Sequence, residues 1–242
     1  MKEQLNRSIR RMSNRVRFLN LSLGSAKKCP VCGWACREFR KVEYPYKPAN
    51  SLVCPSCGSY ERHRFAYLVL KNKIADYARE TLHIAPERCI KPWLQSNSGI
   101  YLSVDLLSKS AMVHMDITDL GFDDNSFSLV WCSHVLEHIE NDHQAMSEVY
   151  RVLKPNGLAV IQVPIYRQKT YEDSAIQSPE GRLKHFYQDD HVRLCGLDIV
   201  QRLQNVGFKV NVIELSKLRD NHISKYGLDE PSTREIFLCS KH

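Results

Sequence analysis

The sequence is short of glycine, with ten in 242 residues, and none lies in the stretch TLHIAPERC, residues 81–89. Nucleotide-binding α/β enzymes open with a strand, a glycine-rich turn and a helix. Here the apolar run is followed by Ala85-Pro86-Glu87, so the site is either degenerate or grips its ligand in another way. Long apolar runs are also missing: none reaches the roughly 18 residues that a membrane span needs. The first 18 residues, MKEQLNRSIRRMSNRVRF, are charged throughout and contain no secretory apolar region, which leads us to expect a cytoplasmic protein. An even set of cysteines is lacking. Nine cysteines leave one over from any disulfide framework, and four of them fall in CxxC pairs, which points to metal. There is no internal repeat and no low-complexity segment.

Hydrophobic residues make up 43% and charged residues 25% of the chain, ordinary values for a globular protein. The net charge of +7 is unevenly spread. Residues 1–40 hold ten Lys/Arg and two Asp/Glu, a local +8, so the rest of the chain sums to −1. Leu5, Ile9, Met12, Val16 and Leu19 recur at helical spacing, which predicts a basic N-terminal helix over residues 1–24. It either packs on the body with a solvated basic face or meets RNA or an anionic membrane.

Residues 25–62 form a second unit. Cys29-Pro30-Val31-Cys32-Gly33 and Cys54-Pro55-Ser56-Cys57-Gly58 share the pattern CPxCG. Two residues between cysteines let both thiolates of a tight turn face one ion, and the following glycine relieves the backbone. Four thiolates make a closed tetrahedral Zn2+ site with no open position, hence a structural metal. Cys36 reads as a buried thiol. From residue 63 to 242, short apolar runs alternate with helical stretches, which predicts an α/β domain with a parallel sheet and crossover helices.

The body carries Asp116, Leu120-Gly121-Phe122, Asp124, Ser126-Phe127, His134-Val135-Leu136-Glu137-His138 and Arg151-Val152-Leu153-Lys154-Pro155-Asn156-Gly157. In this order the phrases resemble class I S-adenosylmethionine-dependent methyltransferases of the type 11, small-molecule kind, and with the cysteine knuckles a subset that has an N-terminal zinc ribbon. The resemblance implies a Rossmann-like sheet, mostly parallel with its last strand antiparallel, and S-adenosylmethionine as cofactor. It places Asp105 and Leu106 at the ribose, Asp116 and Ile117 at the adenine, and Ser133 and His134 under the sulfonium. Asp105 ends an apolar run, where a carboxylate can accept both ribose hydroxyls or cap the next helix. By the same resemblance Ala85, Pro86 and Glu87 stand in the cofactor turn. Ala85 still permits close approach, Pro86 suits a first helical turn, and Glu87 is a partner for the cofactor's ammonium.

Some thirty residues between LAVIQVP and GLDIVQRLQNVGF hold Tyr166, Arg167, Tyr171, His185, Tyr187, Asp190, His191 and Arg193. A segment this long in a compact domain is expected to be functional, here a lid over the acceptor. A hydroxyl acceptor needs a base, for which His138, His134, His185 and His191 are the candidates. His138 also reads as support for the strand–helix junction. His134, Glu137 and His138 share one side of a helix, and with His143 they allow a metal reading. Three functions stay open: methyl transfer to a small-molecule hydroxyl, a zinc-module rRNA or tRNA methyltransferase whose basic arm meets phosphates, and a non-catalytic protein that kept the fold. The near-neutral body lacks the basic stripe of a nucleic-acid binder.

Overall fold

The computed structural model describes residues 24–44, 46–47, 50–218, 220–229 and 234–241; the helix expected over residues 1–24 lies outside them but for Gly24. Two short hairpins open the described chain. Strand β1 (Lys27–Lys28) pairs antiparallel with β2 (Ala35–Cys36), and β3 (Arg40–Val42) pairs antiparallel with β4 (Ser51–Val53). The first knuckle is the turn between β1 and β2, and the second follows β4. In each, the glycine amide bonds the first cysteine's carbonyl: Gly33 to Cys29 at 2.9 Å and Gly58 to Cys54 at 3.0 Å. These glycines adopt φ of 76° and 75°. A Cβ at either would meet nothing within 4 Å, so the left-handed backbone, not space, calls for glycine.

The body is built on seven strands: β5 (Glu80–Ile84), β6 (Ile100–Asp105), β7 (Val113–His114), β8 (Phe127–Ser133), β9 (Leu153–Gln162), β13 (Lys209–Glu214) and β14 (Glu235–Ser240). Their spatial order is β13-β14-β9-β8-β5-β6-β7. Strands β5 to β9 run parallel, and β14 is antiparallel to both of its neighbours. This is the class I methyltransferase sheet that the phrases implied. Strand order reverses between β5 and β8, and ligands of open α/β sheets bind beyond the carboxyl ends of the strands at such a reversal.

Alternation along β8 assigns its residues to two cores. Val130 and Cys132 join Leu82, Ile84, Ala159 and Ile161 beneath helices α3 (Asp142–Val152) and α5 (Ile199–Val206). Leu129 and Trp131 join Leu158 and Val160 on the opposite face, under α1 (Glu61–Leu70) and α2 (Lys91–Asn97). The near-continuous burial of β8 and β9 follows from helices covering both faces.

The long segment after β9 is more ordered than its loop-like sequence suggests. Strands β10 (Ile165–Arg167), β11 (Tyr171–Glu172) and β12 (Arg193–Gly196) form a small sheet with β12 in the middle, and helix α4 (Pro179–Phe186) lies between β11 and β12. Arg193 fastens this unit to the body: its Nη1 donates to the carbonyls of Leu136 (2.8 Å) and Ile139 (2.6 Å), and its Nε to Glu172 (2.8 Å). A buried guanidinium with most donors satisfied is a rigid clamp.

The phrase Glu61-Arg62-His63-Arg64 joins the hairpins to the sheet. Arg64 is fully buried. It donates to the carbonyls of Ser59, Leu52, Tyr226 and Gly227, and its guanidinium lies 4.2 Å from the Phe39 ring centroid. Glu61 accepts the Leu52 amide. The knuckles are thereby held against α1. Among the described residues no helix is long and apolar enough to cross a membrane.

Candidate functional site

The four knuckle cysteines converge. All four Sγ atoms lie within 4.8 Å of one another, with Cys29–Cys57 at 3.7 Å and Cys32–Cys54 at 3.8 Å. A tetrahedron with metal–sulfur bonds of about 2.3 Å has edges of about 3.8 Å, so the spacing fits one tetrahedral ion. Cys36 is buried outside this group.

The turn that lacks glycine keeps a glycine's backbone. Ala85 sits at φ 50°, a conformation that costs a residue with a Cβ about 1 kcal/mol or more, and its amide bonds the Val104 carbonyl at 2.8 Å. Pro86 and Glu87 do not start a helix, contrary to expectation. They lie in an irregular turn, and α2 begins at Lys91 with Pro92 in its first turn.

Glu87 is also placed differently from the expectation of a carboxylate held open for a ligand. Its Oε1 accepts from His63 Nε2 at 3.2 Å, and its Oε2 from His83 Nε2 at 3.0 Å and Trp131 Nε1 at 3.1 Å. Burial alone would raise this carboxyl's pKa. The hydrogen bonds and charges of His63 and His83 outweigh that and hold it well below the usual carboxylate range. A carboxylate in a largely apolar setting collects every donor in reach, because an unpaired one costs several kcal/mol. The three donors come from α1, β5 and β8, which sequence spacing does not bring together.

At the carboxyl ends of the strands, Asp105 closes β6. Its Oδ1 accepts the amides of Leu107 (2.8 Å) and Ser108 (2.7 Å). Leu106 and Leu107 beside it are exposed, at 58% and 83%, an apolar rim. Asp116 accepts from the Thr118 amide and hydroxyl, both at 2.8 Å through Oδ1. Ile117 is buried in the core below. Ser133 is buried at the end of β8, with its hydroxyl 3.4 Å from Gln162 Oε1. His134 follows at φ 55°, so a second left-handed residue faces Ala85's strand across the reversal.

Three of the four candidate bases gather around Glu137. His134 Nδ1 lies 3.1 Å from Glu137 Oε1. His138 and His191 stack edge to face with ring centroids 4.7 Å apart, and His138 Nδ1 is 3.3 Å from Asp190 Oδ2. Burial lowers the pKa of His134, helped by the charge of Arg62, and pushes His191 down to about 4; both imidazoles are neutral near pH 7. His191 is fully buried and its Nδ1 bonds the Phe186 carbonyl. His185 makes its contacts elsewhere, through Nδ1 to the Tyr171 hydroxyl at 3.2 Å.

Sequence reasoning missed Arg62. Its guanidinium lies over the Tyr60 ring at 4.7 Å, and its Nε is buried without a hydrogen-bond partner among the described residues. Its charge depresses both His63 and His134, so it stands between Glu87's cluster and the end of β8. The only signal for it in the sequence is its place in Glu61-Arg62-His63-Arg64, directly after the second knuckle. A cleft of about 1390 Å³ runs between the knuckles and the start of α2, lined by Arg40, Lys41, Arg62, His63, Glu87 and Arg88 among others. It does not extend to Asp105 or His138, so the strand ends, rather than this cleft, define the candidate site.

Comparison with known proteins agrees with this geometry. Residues 75–161 match the family model described as a methyltransferase domain. Demethylmenaquinone methyltransferases from Clavibacter sepedonicus and Staphylococcus epidermidis are 47% and 41% identical over 49 and 54 residues. The first match covers 20% of each chain and the second 22% of each, so the chain spans about a fifth of the length of these relatives. An uncharacterized protein of Methanocaldococcus jannaschii is 30% identical over 143 residues, 52% of this chain and 62% of that one. Among solved structures, an S-adenosylmethionine-dependent methyltransferase from Archaeoglobus fulgidus superposes with a TM-score of 0.50 at 17% identity, over 74% of this chain and 94% of the other. The cyclase SpnF superposes at 0.53 with 15% identity, over 74% and 81%. These likenesses are likenesses of fold.

Proposed function

We propose that this chain, which carries a methyltransferase domain on a class I methyltransferase sheet, transfers the methyl group of S-adenosylmethionine to a hydroxyl oxygen of a small-molecule acceptor. In the same reading Cys29, Cys32, Cys54 and Cys57 hold a structural zinc. The observation that carries the proposal is the set of groups at the strand reversal: left-handed Ala85 at the end of β5, and Asp105 and Asp116 beyond β6 and β7. Ala85's single methyl lets a ligand approach the turn's backbone. Asp105 Oδ2 accepts from ribose hydroxyls, with Leu106 as apolar cover, and Asp116 faces the adenine amine. The cofactor supplies a methyl group on a sulfonium. Ser133 and the backbone at His134 would border it, and Arg62 would neutralise the carboxylate of its amino-acid tail.

On the acceptor side the small β10–β12 sheet and α4 cover the strand ends and exclude water, which in-line transfer requires. His138 is the reachable base. Its side chain is 31% exposed and is oriented by Asp190, whereas His191 is closed off beneath it. Similarity to proteins named demethylmenaquinone methyltransferases supports a small-molecule acceptor.

Calorimetry with S-adenosylmethionine tests the proposal, followed by transfer of labelled methyl to a panel of hydroxylated small molecules. Asp105→Ala is expected to weaken cofactor binding roughly tenfold, the loss of charged hydrogen bonds. A folded wild-type protein that does not bind the cofactor would overturn the reading.

A further inference from the structure

Glu137 is wholly buried, and its Oε2 makes no hydrogen bond among the described residues. A buried carboxylate oxygen without a donor is costly. Lys47 feels the charges of Glu137 and Asp190 but forms an ion pair with neither among the described residues. His134 Nδ1 lies 3.1 Å from Glu137 Oε1, and two further imidazoles face the carboxylate: one ligand atom each of Glu137, His138 and His191 lie within 4.8 Å of one another.

Both imidazoles are already oriented as ligands. His191 Nδ1 is 3.1 Å from the Phe186 carbonyl, so Nδ1 carries the proton and Nε2 the lone pair. His138 Nδ1 is 3.3 Å from Asp190 Oδ2, and a carboxylate at that distance favours the proton on the same nitrogen. Metal-binding histidines are commonly held in this way, the second nitrogen donating to a carbonyl or carboxylate. The Gln188 amide contacts His191 Nε2. It comes from a half-exposed residue and can swing aside.

We propose that Glu137, His138 and His191 form a second metal site, which binds one divalent transition-metal ion at the acceptor side of the domain. Two imidazoles and one carboxylate suit Mn2+, Fe2+, Co2+ or Zn2+. Ligands about 2.1 Å from one ion lie about 3.0–3.4 Å apart at octahedral or tetrahedral angles, so three groups within 4.8 Å of one another need close by no more than about 1.5–2 Å to hold it. The ion supplies the charge that Glu137's empty oxygen lacks. The site joins two segments far apart in sequence: the single helical turn Leu136–His138 after β8, and His191 before β12. They are already stitched together by the Val192 amide on the Glu137 carbonyl at 3.0 Å. Three protein ligands leave positions open. On the methyl-transfer reading, an acceptor hydroxyl bound there would lose its proton more readily, and the ion would take over the part given above to His138, whose Nε2 it occupies; metal binding itself does not depend on that reading.

The test uses the full chain with its four-cysteine site loaded with zinc, titrated with Mn2+ alone and read by electron paramagnetic resonance. Mn2+ prefers oxygen and nitrogen to thiolate, so it reports on this site and not on the knuckles. One saturable Mn2+ per chain is expected, with at least tenfold weaker binding in His138→Ala and His191→Gln and unchanged binding in His143→Ala. Since buried His191 can disturb folding, the half-exposed His138 decides the matter. Gln188→Ala should bind Mn2+ as well as the wild type or better. No saturable Mn2+ binding, or binding indifferent to His138→Ala, would overturn the proposal. Cofactor affinity measured on the same samples shows separately whether the methyl-transfer reading stands.

Discussion

His63 Nε2 lies 3.2 Å from Glu87 Oε1, and this one contact joins the helix after the second cysteine knuckle to the turn at the end of β5. His63 Nδ1 in turn accepts the Tyr60 amide at 3.0 Å and lies 3.1 Å from Cys89 Sγ. The same imidazole therefore caps the start of α1, orients a carboxylate and touches the turn beyond it. The hairpins with their cysteines are coupled to the candidate cofactor turn through this residue, while Arg64 ties them to Tyr226 and Gly227.

Glu87 is expected to be chiefly a stabilising residue. Glu87→Gln replaces a three-donor acceptor with an amide that can satisfy one side only, so a loss of about 1–3 kcal/mol is expected. S-adenosylmethionine affinity should change by less than about threefold. Thermal melts and calorimetry on one preparation check this. Unaltered melting with a tenfold loss of affinity would mean that the carboxylate serves the cofactor's ammonium directly.

Arg62 is expected to bind rather than to support. Arg62→Gln should weaken S-adenosylmethionine about tenfold, the cost of a charged hydrogen bond, and should hardly affect an analogue lacking the amino-acid carboxylate. Equal losses for both ligands would assign Arg62 to folding instead.

The knuckles should hold one zinc per chain, found by elemental analysis of protein purified without added metal. Cys54→Ser removes one corner of the tetrahedron. Zinc content and melting temperature should fall together, since metal binding is coupled to the fold of such a module. Full zinc occupancy in this variant would be incompatible with the four-cysteine assignment.

Acid should destabilise the protein through His63. Burial, aided by the charge of Arg62 and opposed by Glu87, lowers its pKa from 6.5 to about 4. Between those values the unfolded chain binds a proton that the folded chain does not, so stability rises with pH across this window and is lost as pH falls from about 6.5 towards 4. The groups facing His63 are Glu87, Cys89, Arg62 and His134. Urea unfolding of zinc-loaded protein at several pH values measures the slope. A His63→Gln protein should show a shallower dependence, and an unchanged slope would place the acid sensitivity elsewhere.

Much of this protein is determined locally and is visible in the sequence. The CPxCG turns are self-contained, because two residues between cysteines and a glycine after them suffice to aim two thiolates. The strands are legible as short apolar runs, since burial on both faces of β8 and β9 demands them, and the phrases from Asp116 to Gly157 resemble one family closely enough to imply strand order. Asp105 and Asp116 fall at strand ends for the same reason. Tertiary structure alone decided the fate of Glu87, whose donors His63, His83 and Trp131 come from three elements that meet only across the sheet. It also placed Arg62 between them, and brought His191 from the far side of α4 onto Glu137 and His138. Burial, which sets both the cost of an unpaired charge and the partners that relieve it, is a property of the packed whole and is not written in any local spacing.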